Sequence, residues 1–385
     1  MLSQRSRRTS ASTRVEEESG LKAHKRLIPA VIAAIAVGAM GSLPQANHVF
    51  AAHPGKTQIT GKVGFLFSDF TTSARWQFDK KFFIQELHKL DPKVQVIATD
   101  AKADQTTQQN QAKSLLTQGV KVLIDVPVDS AQAAAIVKAA HAEKPRVPVM
   151  AYDRLITGAY EDAYASFDGF QVGALQGKFI KSHVAKGGTI VEIAGAPTDN
   201  NAHLFHQGAL SVLQPLFNSK YYTPGYSIFT PSWSATTAQQ EMSSALNKLN
   251  NKVNGVLVAN DGMAGGVVSA LQKQHLNGKI PVTGQDATVA GIQQILLGNQ
   301  SMTVYKPIRT LSKAAAHIVD LWLHHKVYHS AVKTDTVGAG KTPSVIKPVE
   351  TVTKSNIKST VIKDGFVTKA ELCTSAVPAA DCAGL

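Results

Sequence analysis

Charged, amide and aromatic side chains follow the short apolar runs of this sequence, at the points where the runs end. They are Ser68, Asp69, Arg75, Trp76, Asp153, Arg154, Asp199, Asn200, Asn201, Asn260, Asp261, Gln285, Asp286 and Lys306. Trp233 lies in a loop, within Pro231-Ser232-Trp233. Asp and Asn accept hydrogen bonds from hydroxyl groups, Arg, Lys and Asn donate to them, and each hydroxyl does both. Tryptophan adds a flat apolar face with a polar edge. A phosphorylated ligand would favour a glycine-rich loop or a surplus of cations, whereas here Asp and Asn balance the cations. The set therefore indicates a neutral, polyhydroxylated ligand.

Each residue of this set also has a purely structural explanation. An Asp at a strand–helix junction is often the N-cap of the helix, and Asn200 or Asn260 could form a turn. Trp76 could belong to the core, and Asp153 and Arg154 could form a structural ion pair. The recurrence at six strand ends nevertheless favours a binding site, because capping does not require Arg, Lys and Trp as well.

Short β-branched apolar runs alternate with amphipathic stretches of helical length. The predicted strands are residues 62–67, 94–98, 122–126, 147–151, 189–194, 253–258, 280–283 and 302–305. The predicted helices include residues 74–90, 105–118, 131–141, 171–183, 236–249 and 265–275. Nearly continuous apolar strands separated by helices indicate parallel sheets covered on both faces. Two such series, before and after about residue 165, predict an α/β fold of two doubly wound lobes, whose ligands bind outside the C-terminal ends of the strands.

The composition is that of a packed globular protein, with 44% apolar and 17% charged residues in a chain of 385. This length exceeds that of a usual single domain, which also favours two lobes. The net charge is +13, but no dense Lys/Arg run with interleaved aromatic residues is present. We therefore expect no nucleic-acid partner.

The sequence has no convincing motif for catalysis, a cofactor or a metal. Residues 340–342 (Gly-Lys-Thr) look like the end of a phosphate loop, but Asp335 stands where the first Gly should be. His325 and His329 have the i, i+4 spacing of a metal-binding pair, without an acidic partner at the matching spacing. A nucleophile–base pattern is also missing. We expect no catalytic residue, cofactor or metal.

The first 52 residues have the pattern of an export signal. Seven basic residues precede an apolar stretch at residues 27–43, and residues 49–51 (Val-Phe-Ala) fit the small-residue rule of signal peptidase. We expect a periplasmic protein, or a membrane-anchored one if the segment is not cleaved. In an oxidising compartment Cys373 and Cys382 could close a short loop, and we expect a tail disulfide without a functional role.

Several motifs in order resemble the periplasmic D-xylose-binding proteins of the type I sugar-binding family. The resemblance runs from about Lys62 to Phe366. Its matching stretches are residues 74–77 (ARWQ), 151–154 (AYDR), 166–168 (SFD), 198–202 (TDNNA), 284–287 (GQDA), 302–308 (MTVYKPI), 356–358 (NIK) and 361–366 (VIKDGF).

This resemblance implies a type I periplasmic binding fold, in which two doubly wound lobes are joined by a three-segment hinge. The chain would cross between the lobes near residues 166–168, 302–306 and 331–342. The implied division is residues 60–165 and 306–332 for the first lobe, 166–305 and 333–367 for the second, and 368–385 for a C-terminal tail.

The resemblance also implies which side chains contact a sugar. Hydrogen bonding is implied for Arg75, Arg154, Asn201, Asn260, Asp286 and Lys306, and ring packing for Trp76, Phe205 and Trp233. Asp153 and Asp199 would orient their neighbours. The loop at residues 217–234 departs from the family pattern beside a stacking residue, so another pentose or hexose is an alternative to D-xylose.

The mechanism implied is closure of a monomer around a monosaccharide, followed by delivery to the permease of an ABC importer. A chemoreceptor could read the same closed form. A sugar-responsive transcription regulator would need an N-terminal helix-turn-helix where the export signal stands. A sugar-acting α/β enzyme would need a base or nucleophile with a matched pKa, whereas neighbouring Arg and Lys residues favour ionised Asp153 and Asp286.

Overall fold

The computed structural model describes residues 60–71 and 73–385, so the predicted export signal at residues 1–52 lies outside the described residues. The first part of the chain alternates strands and helices: β1 (Lys62–Phe67), α1 (Arg75–Leu90), β2 (Gln95–Asp100), α2 (Gln105–Thr117), β3 (Val122–Asp125), α3 (Ala134–Ala142), β4 (Val149–Tyr152) and β5 (Ala163–Phe167). The middle part contains α4 (Gly169–His183), β6 (Thr189–Ala194), α5 (Asn200–Asn218), β7 (Thr223–Phe229), α6 (Ala235–Lys248), β8 (Gly255–Val258), α7 (Asp261–Lys273), α8 (Val289–Leu296) and β9 (Thr303–Tyr305). The last part contains α9 (Ile308–Leu323), β10 (Lys333–Asp335), β11 (Lys341–Lys347), β12 (Glu350–Val352), α10 (Lys369–Leu372) and α11 (Ala379–Cys382).

A seven-stranded sheet forms the first lobe, in the order β10-β11-β5-β4-β3-β1-β2. All of its neighbouring strands are parallel except the β10–β11 hairpin. Side chains alternate between the two faces of β1: Phe65 and Phe67 pack in the apolar core that includes α9, whereas Leu66 packs in the core with α2 and α3. Burial on both faces explains why these strands are nearly continuous apolar runs.

A three-stranded parallel sheet, β7-β6-β8, forms the centre of the second lobe. The predicted strand at residues 280–283 is reduced to a single bridge between Val282 and Val256. Strands β9 and β12 form a separate antiparallel pair. The α/β class with parallel sheets and covering helices is therefore confirmed.

The third crossing between the lobes differs from the expectation. Residues 333–347 were expected in the second lobe, but β11 pairs in parallel with β5, from Ser344 beside Tyr164 to Lys347 beside Phe167. Edge hydrogen bonding of β5 thus holds the β10–β11 hairpin in the first sheet. The chain crosses after Lys347, not at residues 331–342, because the next strand, β12, pairs with β9.

The predicted disulfide between Cys373 and Cys382 is present, with the two Cα atoms 5.9 Å apart. It closes the tail, where Leu372 and Cys382 pack in an apolar cluster with Ile292 of α8. Among the described residues, helices with the length and apolar character of a membrane span are not found.

Helices α4 and α5 pack with their backbones in contact, and glycine makes this possible. A Cβ atom at Gly173 would lie 1.8 Å from the Phe205 carbonyl oxygen and 2.8 Å from the Ala209 nitrogen. At Gly208 it would lie 2.0 Å from the Phe170 oxygen. This close approach fixes the position of α5, which carries Phe205.

Gly173→Ala is therefore expected to lower the free energy of unfolding by roughly 2–3 kcal/mol, because overpacking outweighs the gain in helix propensity. Urea unfolding followed by circular dichroism measures this change. Gly265→Ala in α7 is the matched control: a Cβ there meets no atom within 4 Å, so a gain of about 0.5–1 kcal/mol is expected. Equal stability of the two variants would contradict the packing argument.

Asp125, at the end of β3, is fully buried, and neither of its carboxylate oxygens has a hydrogen-bond partner among the described residues. Burial raises the pKa of this carboxyl to about 8. The folded protein therefore favours the neutral carboxyl. Its contribution to the free energy of unfolding is present in full below pH 4 and is lost as the pH rises toward 8.

We expect the stability of Asp125→Asn relative to the parent to increase by about 3 kcal/mol between pH 5 and pH 8. Urea unfolding at the two pH values measures the difference. Glu143→Gln, at an exposed position, should keep the parent's pH dependence. A constant difference between Asp125→Asn and the parent would show that Asp125 is not neutral in the fold.

Candidate functional site

The structure brings all ten predicted site residues together around one cleft at the C-terminal ends of the strands. The space between the lining atoms is about 290 Å³, which is at the small end of ligand sites. The lining residues are Ser73, Arg75, Trp76, Asp153, Arg154, Asp199, Asn201, Phe205, Trp233, Asn260, Gln285, Asp286 and Lys306. Both lobes contribute, since Arg75 and Arg154 come from the first and Asn201 and Trp233 from the second.

A buried network of charges forms the floor of the cleft. Arg75 donates from Nε to Asp79 at 3.0 Å and from Nη2 to Asp153 at 2.8 Å, and its Nη1 lies 3.6 Å from Asp286. Lys306 Nζ lies 3.5 Å from Asp153 and 3.9 Å from Asp286. All five side chains are at most 5% exposed. Two cations thus face three carboxylates in a region from which water is largely excluded.

Burial and neighbouring opposite charges shift the pKa values of this region in opposite directions. Burial alone would raise the pKa of Asp153, but the charges of Arg75 and Lys306 outweigh it and hold the pKa at about 2. Burial lowers the pKa of Lys306 although Asp153 opposes the shift. Burial also raises the pKa of Asp199 against the effect of Arg154. Asp153 is therefore an ionised hydrogen-bond acceptor and is poorly suited to act as a general base near neutral pH.

Arg154 connects the two lobes at the side of the cleft. Its Nε lies 2.8 Å from an oxygen of Asp199, and its Nη1 donates to the Pro127 carbonyl at 3.1 Å. Asp199 also accepts from Trp233 Nε1 at 3.2 Å and from the Asn201 backbone nitrogen at 2.9 Å. One buried carboxylate thus positions a cation, an indole and the first turn of α5.

Aromatic side chains form the walls. The guanidinium carbon of Arg154 lies 5.5 Å from the ring centre of Trp76 and 6.0 Å from that of Trp233. Phe205 packs edge-on against Trp233, with ring centres 6.2 Å apart. Gly195 allows this position of Trp233, because a Cβ there would lie 2.1 Å from the indole. The walls present apolar faces beside a polar floor.

Two buried polar atoms that line the cleft have no hydrogen-bond partner among the described residues. They are Trp76 Nε1, a donor, and Gln285 Oε1, an acceptor. Buried polar groups almost always have a partner. A ligand with hydroxyl groups could satisfy both atoms, since each hydroxyl donates and accepts.

Three lining residues adopt left-handed backbone conformations, with φ values of 63° at Asp153, 55° at Trp233 and 97° at Asp286. Such conformations are costly for residues other than glycine and tend to occur at functional sites. Asp153 directly follows β4, Trp233 ends a short 3-10 helix after β7, and Asp286 lies in the loop after the Val282 bridge. Each of them contributes a side chain to the cleft.

Asn260 and Asp199 are also helix N-caps, which was the structural explanation considered for polar residues at strand ends. Asn260 caps α7 by accepting from the Met263 nitrogen at 2.9 Å, and Asp199 caps α5. Both residues line the cleft as well, so capping and a place in the site are compatible. The carbonyl oxygen of Asn260 serves the cap, and its amide nitrogen is the group left for a ligand.

Sequence reasoning missed three residues of this region. Asp79 does not line the cleft but holds Arg75, and its i, i+4 spacing from Arg75 was an available signal. Gln285 was noted at a strand end without being assigned to the site. Ser73 precedes α1, and its residue type alone gave no signal.

A larger groove of about 780 Å³ lies in the second lobe between α5 and the β6–β8 strands, lined mostly by apolar side chains. Its polar lining includes Glu192, which lies 2.8 Å from His206 and accepts a hydrogen bond from Ser227 at 2.7 Å. None of its lining residues is Arg, Lys or Trp, in contrast to the cleft, so the groove suits a polyhydroxylated ligand less well. In the described part of the chain, groups of three or more His, Cys, Asp or Glu side chains suited to a metal ion are not found.

Comparisons with known proteins agree with this geometry. A family model for a periplasmic binding protein domain matches residues 63–326. The chain is 38% identical over 312 residues to the D-xylose-binding periplasmic protein of Escherichia coli (strain K12), covering 81% of this chain and 92% of that protein. It is 34% identical to the multiple sugar-binding periplasmic protein SbpA of Azospirillum brasilense, over 78% of this chain and 88% of that protein. A solved ABC transporter solute-binding protein from Clostridium phytofermentans with bound β-D-glucose is 29% identical, with a TM-score of 0.73, covering 81% of this chain and all of that chain (100%).

Proposed function

The chain belongs to the periplasmic binding protein family, and from this premise we propose that it binds a monosaccharide, D-xylose first, between its two lobes and delivers it to an ABC permease. The observation that carries the proposal is the cleft itself. Buried donors and acceptors of both kinds, two of them without a partner, lie between aromatic walls. Hydroxyl groups complement such a floor, and the C–H faces of a sugar ring complement the indoles.

Xylose is the preferred ligand because the chain is 38% identical to two D-xylose-binding periplasmic proteins, those of Escherichia coli and Haemophilus influenzae. Relatives and structural neighbours named for several sugars or for glucose make another monosaccharide the alternative. We place this difference in residues 217–234, which carry Trp233 into the cleft wall. The relatives are solute-binding proteins rather than enzymes, and we propose the same for this chain.

We propose that residues 1–52 direct export and that the protein acts in the periplasm as a monomer. The relatives named as periplasmic proteins support this location. Sugar held by groups of both lobes would favour the closed form, which the permease would then recognise. A chemoreceptor reading the same closed form is compatible with this role.

Fluorescence titration tests the ligand class. Trp76 and Trp233 line the cleft, whereas Trp322 lies on α9, so Trp322→Phe removes a background signal without touching the cleft. We expect a saturable emission change with xylose at lower concentration than with arabinose, ribose, glucose or galactose. Tighter binding of another sugar would contradict the preference for D-xylose but would leave the proposed binding of a monosaccharide between the lobes in place. Failure of all five sugars to change the emission would contradict the proposed function.

A further inference from the structure

Ser130 lies outside the cleft lining but joins the two lobes directly. It sits in the loop between β3 and α3 of the first lobe and is 5% exposed. Its backbone nitrogen donates to the Thr198 carbonyl at 2.9 Å, and its hydroxyl oxygen accepts from the Asn200 backbone nitrogen at 3.1 Å. Thr198 and Asn200 belong to the second lobe. Two hydrogen bonds therefore cross between the lobes at one residue.

The second of these bonds completes a helix N-terminus. Asn200 is the first residue of α5, and the first N–H groups of a helix have no partner within the helix. Asp199 satisfies the Asn201 nitrogen, and the Ser130 hydroxyl satisfies the Asn200 nitrogen from the opposite lobe. Within its own lobe Ser130 is fixed through its carbonyl oxygen, which accepts from the Thr157 nitrogen at 2.8 Å.

The loop of Ser130 is also coupled to the site. Pro127, three residues earlier, accepts the hydrogen bond from Arg154, whose other partner is Asp199 beside Asn200. The Ser130–Asn200 bond and the Arg154–Asp199 ion pair thus join the two lobes at neighbouring residues of the second lobe. The bonds of Ser130 to Thr198 and Asn200 and the Arg154–Asp199 pair require the lobes to meet, so these three contacts stabilise the closed form alone.

We infer that Ser130 is a latch: it positions the lobes in the closed form and thereby sets ligand affinity without touching the ligand. The inference rests on the proposed function. Sugar enters the open form, and the closing equilibrium then multiplies its affinity. A contact made only after closure slows release and leaves the rate of entry unchanged.

Ser130→Ala removes the hydroxyl and keeps the backbone bonds. We expect the dissociation rate and the Kd for D-xylose to rise about 3- to 10-fold, with an unchanged association rate and an unchanged melting temperature of the sugar-free protein. Stopped-flow tryptophan fluorescence measures both rates. Ser269→Ala is the matched control, because among the described residues that hydroxyl bonds to the Gly265 carbonyl within α7 alone. Its rates should equal those of the parent.

An unchanged dissociation rate in Ser130→Ala would overturn the latch, and a lower melting temperature alone would make Ser130 an ordinary structural residue. If the parent binds no monosaccharide, the proposed function fails, and the role of Ser130 is then tested in the sugar-free protein.

Spin labels at Lys138→Cys and Gln207→Cys, on exposed positions of α3 and α5, report the distance between the lobes in that test. A smaller closed fraction in Ser130→Ala supports the latch, and identical distance distributions overturn it.

Discussion

Asp153→Asn is expected to lower the free energy of unfolding by about 3–5 kcal/mol, because it removes the charged carboxylate that lies nearest to both buried cations. Asp153 accepts from Arg75 at 2.8 Å and lies 3.5 Å from Lys306 Nζ, and both cations are at most 3% exposed. Asn201, from the opposite lobe, also donates to it at 3.1 Å. Chemical denaturation of the sugar-free protein at pH 7 measures the loss.

Asp335→Asn is the matched control for this variant, since Asp335 is exposed and its carboxylate accepts a local hydrogen bond from the Val337 nitrogen, 2.8 Å away. Its stability should lie within about 0.5 kcal/mol of the parent. The low pKa of Asp153, about 2, gives a second check. A depressed pKa contributes stability that is present above pH 4 and is lost as the pH falls toward 2. The difference between parent and Asp153→Asn should therefore shrink in that window, and a constant difference would contradict the role of the charge.

Arg154→Ala is expected to weaken D-xylose binding at least 100-fold, or about 2.7 kcal/mol. Arg154 lines the cleft between two indoles and is paired with Asp199 of the other lobe. Its removal takes away the ion pair that joins the lobes and the charged donor that we propose for the ligand. Titration of the folded variant with xylose measures the loss.

Arg146→Ala is the control for this change, because Arg146 is 46% exposed and pairs with Asp162 instead of lining the cleft. Its affinity should equal that of the parent. Arg154→Lys should fall between the two, since an ammonium keeps the charge but loses the planar fork. An Arg154→Ala variant that is folded and binds xylose as the parent does would remove Arg154 from the site.

The sequence was sufficient to predict those strands whose position depends on hydrophobic burial alone. Strands β1 and β6 were predicted with their observed bounds, because each is a largely apolar run whose residues are nearly all buried. The hairpin β10–β11 was placed in the wrong lobe, because its sequence is half-exposed and polar and carries Pro343. Its position depends on pairing with β5, a long-range contact without a local signal.

The site was predictable for a different reason. Residues at the ends of parallel strands meet at one edge of the sheet, so residue type and position predicted nine of the ten side chains that the structure brings to the cleft. The tenth, Phe205, was implied by the family resemblance alone. Asp79 and Ser130 escaped notice because their roles depend on geometry across elements. Asp79 supports Arg75 from one turn along α1, and Ser130 acts through backbone groups of the opposite lobe. Contacts of this kind cannot be predicted from the residue type at a single position.

Calorimetric titration of the purified protein with D-xylose, combined with a check for sugar turnover, tests the central claim most directly. We predict one-to-one binding with a Kd of about 1 µM or lower, and recovery of the sugar unchanged. Absence of binding heat with xylose and with every other monosaccharide, or conversion of the sugar to a product, would contradict the account.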